Sequence, residues 1–250
     1  KEPNYNIPLE FTRLDGRPVL HIREGLLLDT LAWTADPANK LVFGEQGPTA
    51  EQFVLQGGSQ HVTLLTDASA THLVLEKYDL GTLVNFIATP DSVQFVAGLA
   101  TGKLSLPLRG ASGLQADMKV KDLAIMGTRL GDASLNARET SPKSYEAEAH
   151  LANGMNLLDA SASIDAAQVR PAVVARTTFD LKDISFLRPF ASSFLYDLSG
   201  GLGAELRYGL HDGRSDLQGD LSFKEAAVGV LATKSRYTLK KERITFDNDG

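Results

Sequence analysis

Leu114-Gln115-Ala116-Asp117-Met118-Lys119-Val120-Lys121-Asp122-Leu123-Ala124-Ile125 returns further along the chain as Leu217-Gln218-Gly219-Asp220-Leu221-Ser222-Phe223-Lys224-Glu225-Ala226-Ala227-Val228. Five of the twelve positions are identical, and most of the rest exchange like for like. Each copy follows the same kind of approach, Gly102-Lys103-Leu104-Ser105-Leu106-Pro107-Leu108-Arg109 and Gly201-Leu202-Gly203-Ala204-Glu205-Leu206-Arg207. The chain is therefore a repeat. Repeats stack units that cannot bury their apolar face alone, so the surface made by the stacking is where function is to be sought.

Within and before both copies apolar residues recur with the strand period of two. Nine of them are candidates to line one shared inner surface: Leu104, Leu106, Leu108, Met118, Val120, Leu202, Leu206, Leu221 and Phe223. The plain structural reading makes them the inner face of a β-sandwich. The functional reading makes them the wall of an open groove, and the many alanines and glycines on the same face favour room inside. Alternation alone does not choose between the two.

Working outward, residues 5–66 hold short alternating runs separated by Asp15-Gly16, Asp36-Pro37, Gly47-Pro48 and Gly57-Gly58, which predicts a β-meander of antiparallel strands, the gaps being too short for parallel crossovers. Two stretches switch to helical spacing. Leu80, Leu83, Val84, Phe86 and Ile87 predict a short helix near 80–88; Phe186, Leu187, Phe190, Phe194, Leu195 and Leu198 predict one near 186–197 that stops at Gly200-Gly201. Asp183 or Ser185 is placed to cap the second, with Pro189 in its first turn. Between them, the runs around Ala133–Ala137, Tyr145–Leu151 and Ala160–Asp165 alternate small apolar with polar residues, and the period of two outweighs alanine's helix propensity. The closing segments Tyr237-Thr238-Leu239 and Arg243-Ile244-Thr245-Phe246 read as strands. The fold expected from these patterns is all-β with a few short helices, mainly antiparallel. Its approximate units are a meander over 1–72, a first repeat unit over 73–176 and a second, truncated one over 177–250. A strand edge at the end of the sequence leads us to expect a longer protein.

Composition narrows the function classes. At 250 residues and 43% hydrophobic content the chain can bury a large core. A net charge of −6 with scattered Lys and Arg gives no basic stripe for nucleic acid. No cysteine is present, so there is neither a disulfide framework nor a thiolate zinc site. No apolar run approaches the roughly 20 residues that span a bilayer, and Lys1-Glu2-Pro3-Asn4 does not read as a signal peptide. His21, His61, His72, His150 and His211 stand far apart, so no local element offers paired metal ligands. Asp247-Asn248-Asp249-Gly250 resembles only the opening of a calcium loop and reads as a turn. Ser192 and Ser193 lack a nucleophile elbow, and Asp79, Asp183, Glu205 and Asp220 are dispersed over the repeats. No catalytic group, metal or cofactor is expected.

The order of elements carries a family likeness. Leu75-Glu76-Lys77-Tyr78-Asp79-Leu80-Gly81-Thr82-Leu83 and Phe179-Asp180-Leu181-Lys182-Asp183-Ile184-Ser185-Phe186-Leu187 stand before the two helical runs, glycine-bearing leucine strands lead to the second copy of the repeat, and Arg243-Ile244-Thr245-Phe246-Asp247 closes the chain. Over residues 50–250 this resembles the periplasmic repeats of the TamB-like translocation and assembly module family, which are AsmA-like β-groove proteins. Arg214-Ser215-Asp216 stands where family repeats often carry a proline. The resemblance implies an elongated sheet curled into a taco-like groove with an apolar interior, anchored in the inner membrane of a diderm bacterium and crossing the periplasm, with phospholipid acyl chains as cargo. It further implies an outer-membrane barrel-assembly protein and nascent outer-membrane proteins as partners, and it carries no catalytic residues. The alternative is a β-sandwich or solenoid repeat of a bacterial surface adhesin or binding module; a glycan-processing enzyme would need clustered carboxylates.

Overall fold

The computed structural model describes residues 5–45, 47–82, 96–109, 112–167 and 170–247. Their chain separates into two compact units, Lys1–Lys121 and Asp122–Gly250. The first copy of the repeat straddles that division.

Unit 1 opens with the hairpin β1 (Leu9–Leu14) and β2 (Arg17–Ile22). Its two-residue turn, Asp15 and Gly16, has φ of 50° and 78°, the left-handed pair whose twist suits flanking strands. Short strands β3 (Leu27–Leu28), β4 (Leu31–Ala32) and β5 (Thr34–Ala35) follow, then β6 (Lys40–Gly44), β7 (Gly47–Glu51), β8 (Phe53–Gly57) and β9 (Gln60–Thr66). Longer strands close the unit, β10 (Ala70–Asp79), β11 (Val96–Pro107) and β12 (Gln115–Ile125). β1, β2, β6 and β7 form a four-stranded sheet in that order. Gly47-Pro48, expected as a turn, opens β7, with Gly47 paired to Gly44. The core gathers Leu26, Trp33, Ala50, Phe53 and Leu55. Trp33 lies flat enough on β8 that a Cβ at Gly57 would meet the indole at 2.5 Å.

Unit 2 holds β13 (Thr128–Ser141), β14 (Ser144–Ala152), β15 (Asn156–Asp165), β16 (Ala172–Leu181), β17 (Leu195–His211), β18 (Arg214–Val230), β19 (Ser235–Leu239) and β20 (Arg243–Phe246). The alanine-rich runs are strands β13 to β15, because every second side chain faces one side and the backbone bonds go to neighbours. Every strand pairing among the described residues is antiparallel, and in unit 2 β13 to β18 pair in chain order, with β19 and β20 both on β18. The all-β, mainly antiparallel fold class holds.

The helices are shorter than expected. Residues 80–82 are helical, and the remainder of the predicted 80–88 helix lies outside the described residues. The second helical run is a 3-10 turn at Ile184–Leu187 followed by α1 (Arg188–Ala191). It does not continue to 197, because Leu195 pairs with Val230 and the carbonyl of Phe194 accepts from the Leu231 N–H at 3.0 Å, so the backbone joins the sheet. Gly200 and Gly201 therefore lie inside β17 rather than ending a helix. The cap is Asp183, whose Oδ1 accepts from the Ser185 N–H at 2.9 Å. Asp79 makes the same bond to the Gly81 N–H at 2.9 Å, so the repeat extends to its capping chemistry. It also extends to the backbone: Asp122 and Glu225, equivalent in the two copies, both have left-handed φ, 54° and 49°. The core of unit 2 packs around the 3-10 turn, with Ile184, Phe186 and Ala191 against Leu130, Leu181, Leu198, Leu202 and Ala226.

Candidate functional site: an apolar face on the antiparallel sheet

Directly opposed residues of antiparallel strands share a face, so the register of unit 2 reads out rows of side chains. One row runs Ala133, Leu151, Leu158, Phe179, Ala204, Leu221 and Ile244 from β13 to β20. The next, two residues along each strand, runs Leu135, Ala149, Ala160, Thr177, Leu206, Gly219 and Phe246. A third runs Ala137, Ala147, Ala162, Ala175, Tyr208 and Leu217. Across six strands this face carries no charge in these rows, and Leu135, Tyr208, Leu217 and Ile244 remain exposed on it.

The opposite face is polar throughout the same span. Its rows include Asn136, Glu148, Ser161, Arg176, Arg207 and Gln218, and Ser134, His150, Asp159, Thr178, Glu205 and Asp220. Ion pairs populate it: Arg138 Nη2 to Glu146 at 2.7 Å, His150 Nδ1 to Asp159 at 2.6 Å, and Lys182 and Lys224 both to Asp180, at 2.7 and 3.2 Å. These two lysines, Lys182 first, hold the Asp180 carboxyl below its ordinary value. Two shallow depressions of about 380 and 360 Å³ lie among these polar residues, around Arg176. Ser134, His150 and Asp159 are consecutive across three strands, but only the imidazole and carboxylate are joined; no hydrogen bond links Ser134 to His150 among the described residues.

In unit 1 the same construction appears on a smaller scale. Phe53, Leu64, Leu73 and Leu104 form one row, and Leu55, Val62, Leu75 and Gly102 the next. Met118 lies over Gly102, where a Cβ would meet its Cα at 2.7 Å, so Met118 and Leu104 share a face. Phe53 and Leu55 belong to the buried core, and the face opens toward Leu106, which is 45% exposed. Leu108 and Val120 are half-buried.

The nine candidates thus divide. Leu104, Leu106 and Met118 come together on the unit 1 face. In unit 2, Leu206 stands in the second row, clear of the closed core, whereas Leu202 is 8% exposed within that core and Leu221 and Phe223 both pack against it. The residues that the candidate set omitted are the alanines 147, 149, 160, 162 and 175 and the rim residues Tyr208 and Leu217. Their signal was the same alternation, carried by side chains too small to stand out as apolar.

The histidines serve separate local bonds. His21 Nδ1 lies 2.7 Å from the Asn39 carbonyl, and His72 bridges Ser105 Oγ and Asp67 Oδ2 at 2.9 Å each. That contact, with the N–H groups of Ser69 and Ala70, holds the Asp67 carboxyl well below the usual range. No group of three or more metal-binding side chains occurs among the described residues. Of the terminal turn, 248–250 lie outside the described residues. No family model, no curated protein and no solved structure matches this chain.

Proposed function

We propose that the apolar face is a non-catalytic conduit that carries phospholipid acyl chains, within a periplasmic scaffold anchored in the inner membrane and working with an outer-membrane barrel-assembly protein. The observation that supports this reading is the set of uncharged rows from Ala133 to Ile244, laid across neighbouring strands rather than along one. A row perpendicular to the strands passes from one strand to the next without meeting a charged side chain, since the charged residues of this span project from the other face. Moving a CH₂ out of water stabilises by about 0.8 kcal/mol, so a sixteen-carbon chain gains on the order of 12 kcal/mol from a continuous apolar surface. Alanines at the floor let such a chain lie close to the backbone. Nascent outer-membrane strands, which also alternate apolar and polar residues, are a second cargo of the same chemistry.

Lipid mass spectrometry of the purified protein tests the reading, with Ala162→Arg as the variant. Ala162 lies in the middle of the third row, and an arginine there places a charge that a passing acyl chain must desolvate. Co-purifying phospholipid that falls several-fold in a folded variant supports the conduit. Equal lipid in both proteins, or none in either, overturns it.

A further inference from the structure

The four-stranded sheet of unit 1 treats its two edges differently. At β7 the edge is sealed by side chains: the Ala50 N–H donates to Thr66 Oγ1 at 2.8 Å, and Thr71 Oγ1 donates to the Pro48 carbonyl at 3.0 Å. At β1 no described residue beyond β2 bonds to the backbone of 9–14. Which groups that leaves unpaired follows from one bond. The Arg23 N–H donates to the Pro8 carbonyl at 2.8 Å, so Pro8 faces β2, and the alternation of an antiparallel ladder then turns Glu10, Thr12 and Leu14 toward β2. Leu9, Phe11 and Arg13 direct their N–H and C=O groups outward. Their side chains are open as well, Phe11 being 67% and Leu9 46% exposed. A free ladder flanked by exposed apolar side chains is a template for another strand, and β1 carries no proline, lysine or bulge to blunt it.

We propose that β1 docks the β1 strand of a second copy of this chain, antiparallel across a two-fold axis, with Phe11 opposite Phe11. The sequence of the strand is self-complementary in one register. With Phe11 on the axis, Leu9 opposes Arg13, and all three outward-facing residues of each copy exchange their backbone bonds. Sliding the strands by one step of the ladder in either direction leaves one of the three outside its partner strand, and one of those slides sets Glu10 against Glu10. Like charges directly opposed destabilise a pair, whereas aromatic residues directly opposed stabilise it. In the Phe11 register Glu10 faces Thr12, and no like charges meet. A single six-residue strand pair covers less than the roughly 1,200 Å² of a stable interface, so the association is concentration-dependent and reversible. This pairing is independent of the conduit reading and can fail or hold without it.

Cysteine cross-linking tests the register, because the chain has no thiol of its own. Glu10 and Thr12 of the two copies form a pair without ladder bonds, with Cα atoms about 4.5 Å apart, inside the range a disulfide accepts. When Glu10→Cys and Thr12→Cys proteins are mixed under mild oxidation, the mixed dimer should form at least several-fold faster than either homodimer. Phe11→Pro, placed in both cysteine proteins, removes only an outward N–H and leaves the hairpin ladder bonded, so the melting temperature should stay close to that of the parent while the mixed dimer is lost. Phe11→Lys, which opposes two ammonium groups without touching the backbone, should lower it likewise and serves if the proline variant is unfolded. Equal rates for mixed and single proteins, or a mixed dimer that survives the lysine substitution, overturn the proposal.

Discussion

Asp220 on β18 receives both arms of the Arg243 guanidinium from β20, at 2.9 and 2.6 Å, and the Thr245 hydroxyl donates to the same carboxylate at 2.7 Å. Between β19 and β20 the bonds from Phe223 N–H to the Glu242 carbonyl and from Glu225 N–H to the Lys240 carbonyl, each 2.9 Å, keep the last segment on β18. The Arg243 contact, then the Thr245 hydroxyl, lowers the Asp220 carboxyl from 3.8 to about 2. Its folded value lies below its unfolded one, so the contribution is present above the ordinary carboxylate range and is lost as pH falls toward 2. The carboxyl carbon shift of Asp220 should titrate near pH 2 and return toward 3.8 in Arg243→Gln. Protection of the Thr245 amide should fall over the same window. A midpoint near 3.8 in the parent protein would show that the fork is not held in solution.

Leu202 and Leu106 separate a closed core from an open face. Leu202→Ala should cost about 2–5 kcal/mol, because it leaves a cavity beside Leu181 and Phe186, and Leu202→Asp should unfold unit 2 by burying an unpaired charge. Leu106→Asp puts a carboxylate where water reaches it and should cost about 1 kcal/mol or less in denaturant melts. Similar losses at the two positions would contradict the exposures.

Gly200 and Gly154 share a left-handed φ, 84° and 82°, but not their surroundings. A Cβ at Gly200 would stand 2.2 Å from the Glu225 carbonyl oxygen, and one at Gly154 would meet nothing within 4 Å. Gly154→Ala should therefore cost only the backbone penalty of about 1 kcal/mol. Gly200→Ala adds a clash with backbone that cannot swing aside, and should lower the melting temperature clearly further.

Trp33 is the one tryptophan in the sequence and reports on unit 1 alone. It is buried, tilted 54° to Tyr78 with ring centroids 6.1 Å apart, and rests on Gly57. Gly57→Ala must lift the indole off β8, so its emission should shift to the red while the far-ultraviolet spectrum stays that of β-sheet. An unshifted emission maximum would mean that the ring has another place to go.

Much of this architecture was legible in the residues. The repeat, the period-two strands with their alanines, the Asp15-Gly16 turn and the Asp183 cap are all written in local patterns, and each reappears as a hydrogen bond or a dihedral angle. Asp212-Gly213 closes the β17–β18 hairpin with the same left-handed pair, φ of 53° and 78°, and was readable by the same rule, whereas Met126-Gly127, with φ of 49° and 75°, was not, because methionine carries no turn signal. The 186–197 helix was not, because Phe190 and Phe194 supply helical spacing without being buried, and strand pairing at Leu195 ends the run. Local periodicity is blind to a partner strand thirty-odd positions away.

By itself, the sequence determined which side chains share a face, since successive residues of a strand point to opposite sides and the register of a hairpin follows from its turn. Only the tertiary structure decided what covers that face. Leu202 and Leu206 belong to the same alternation on the same strand, yet the 3-10 turn at Ile184–Leu187 folds over the first and leaves the second in the open rows. Burial depends on residues that are distant in sequence and adjacent only after folding, and no period within β17 could say where that turn would come to rest.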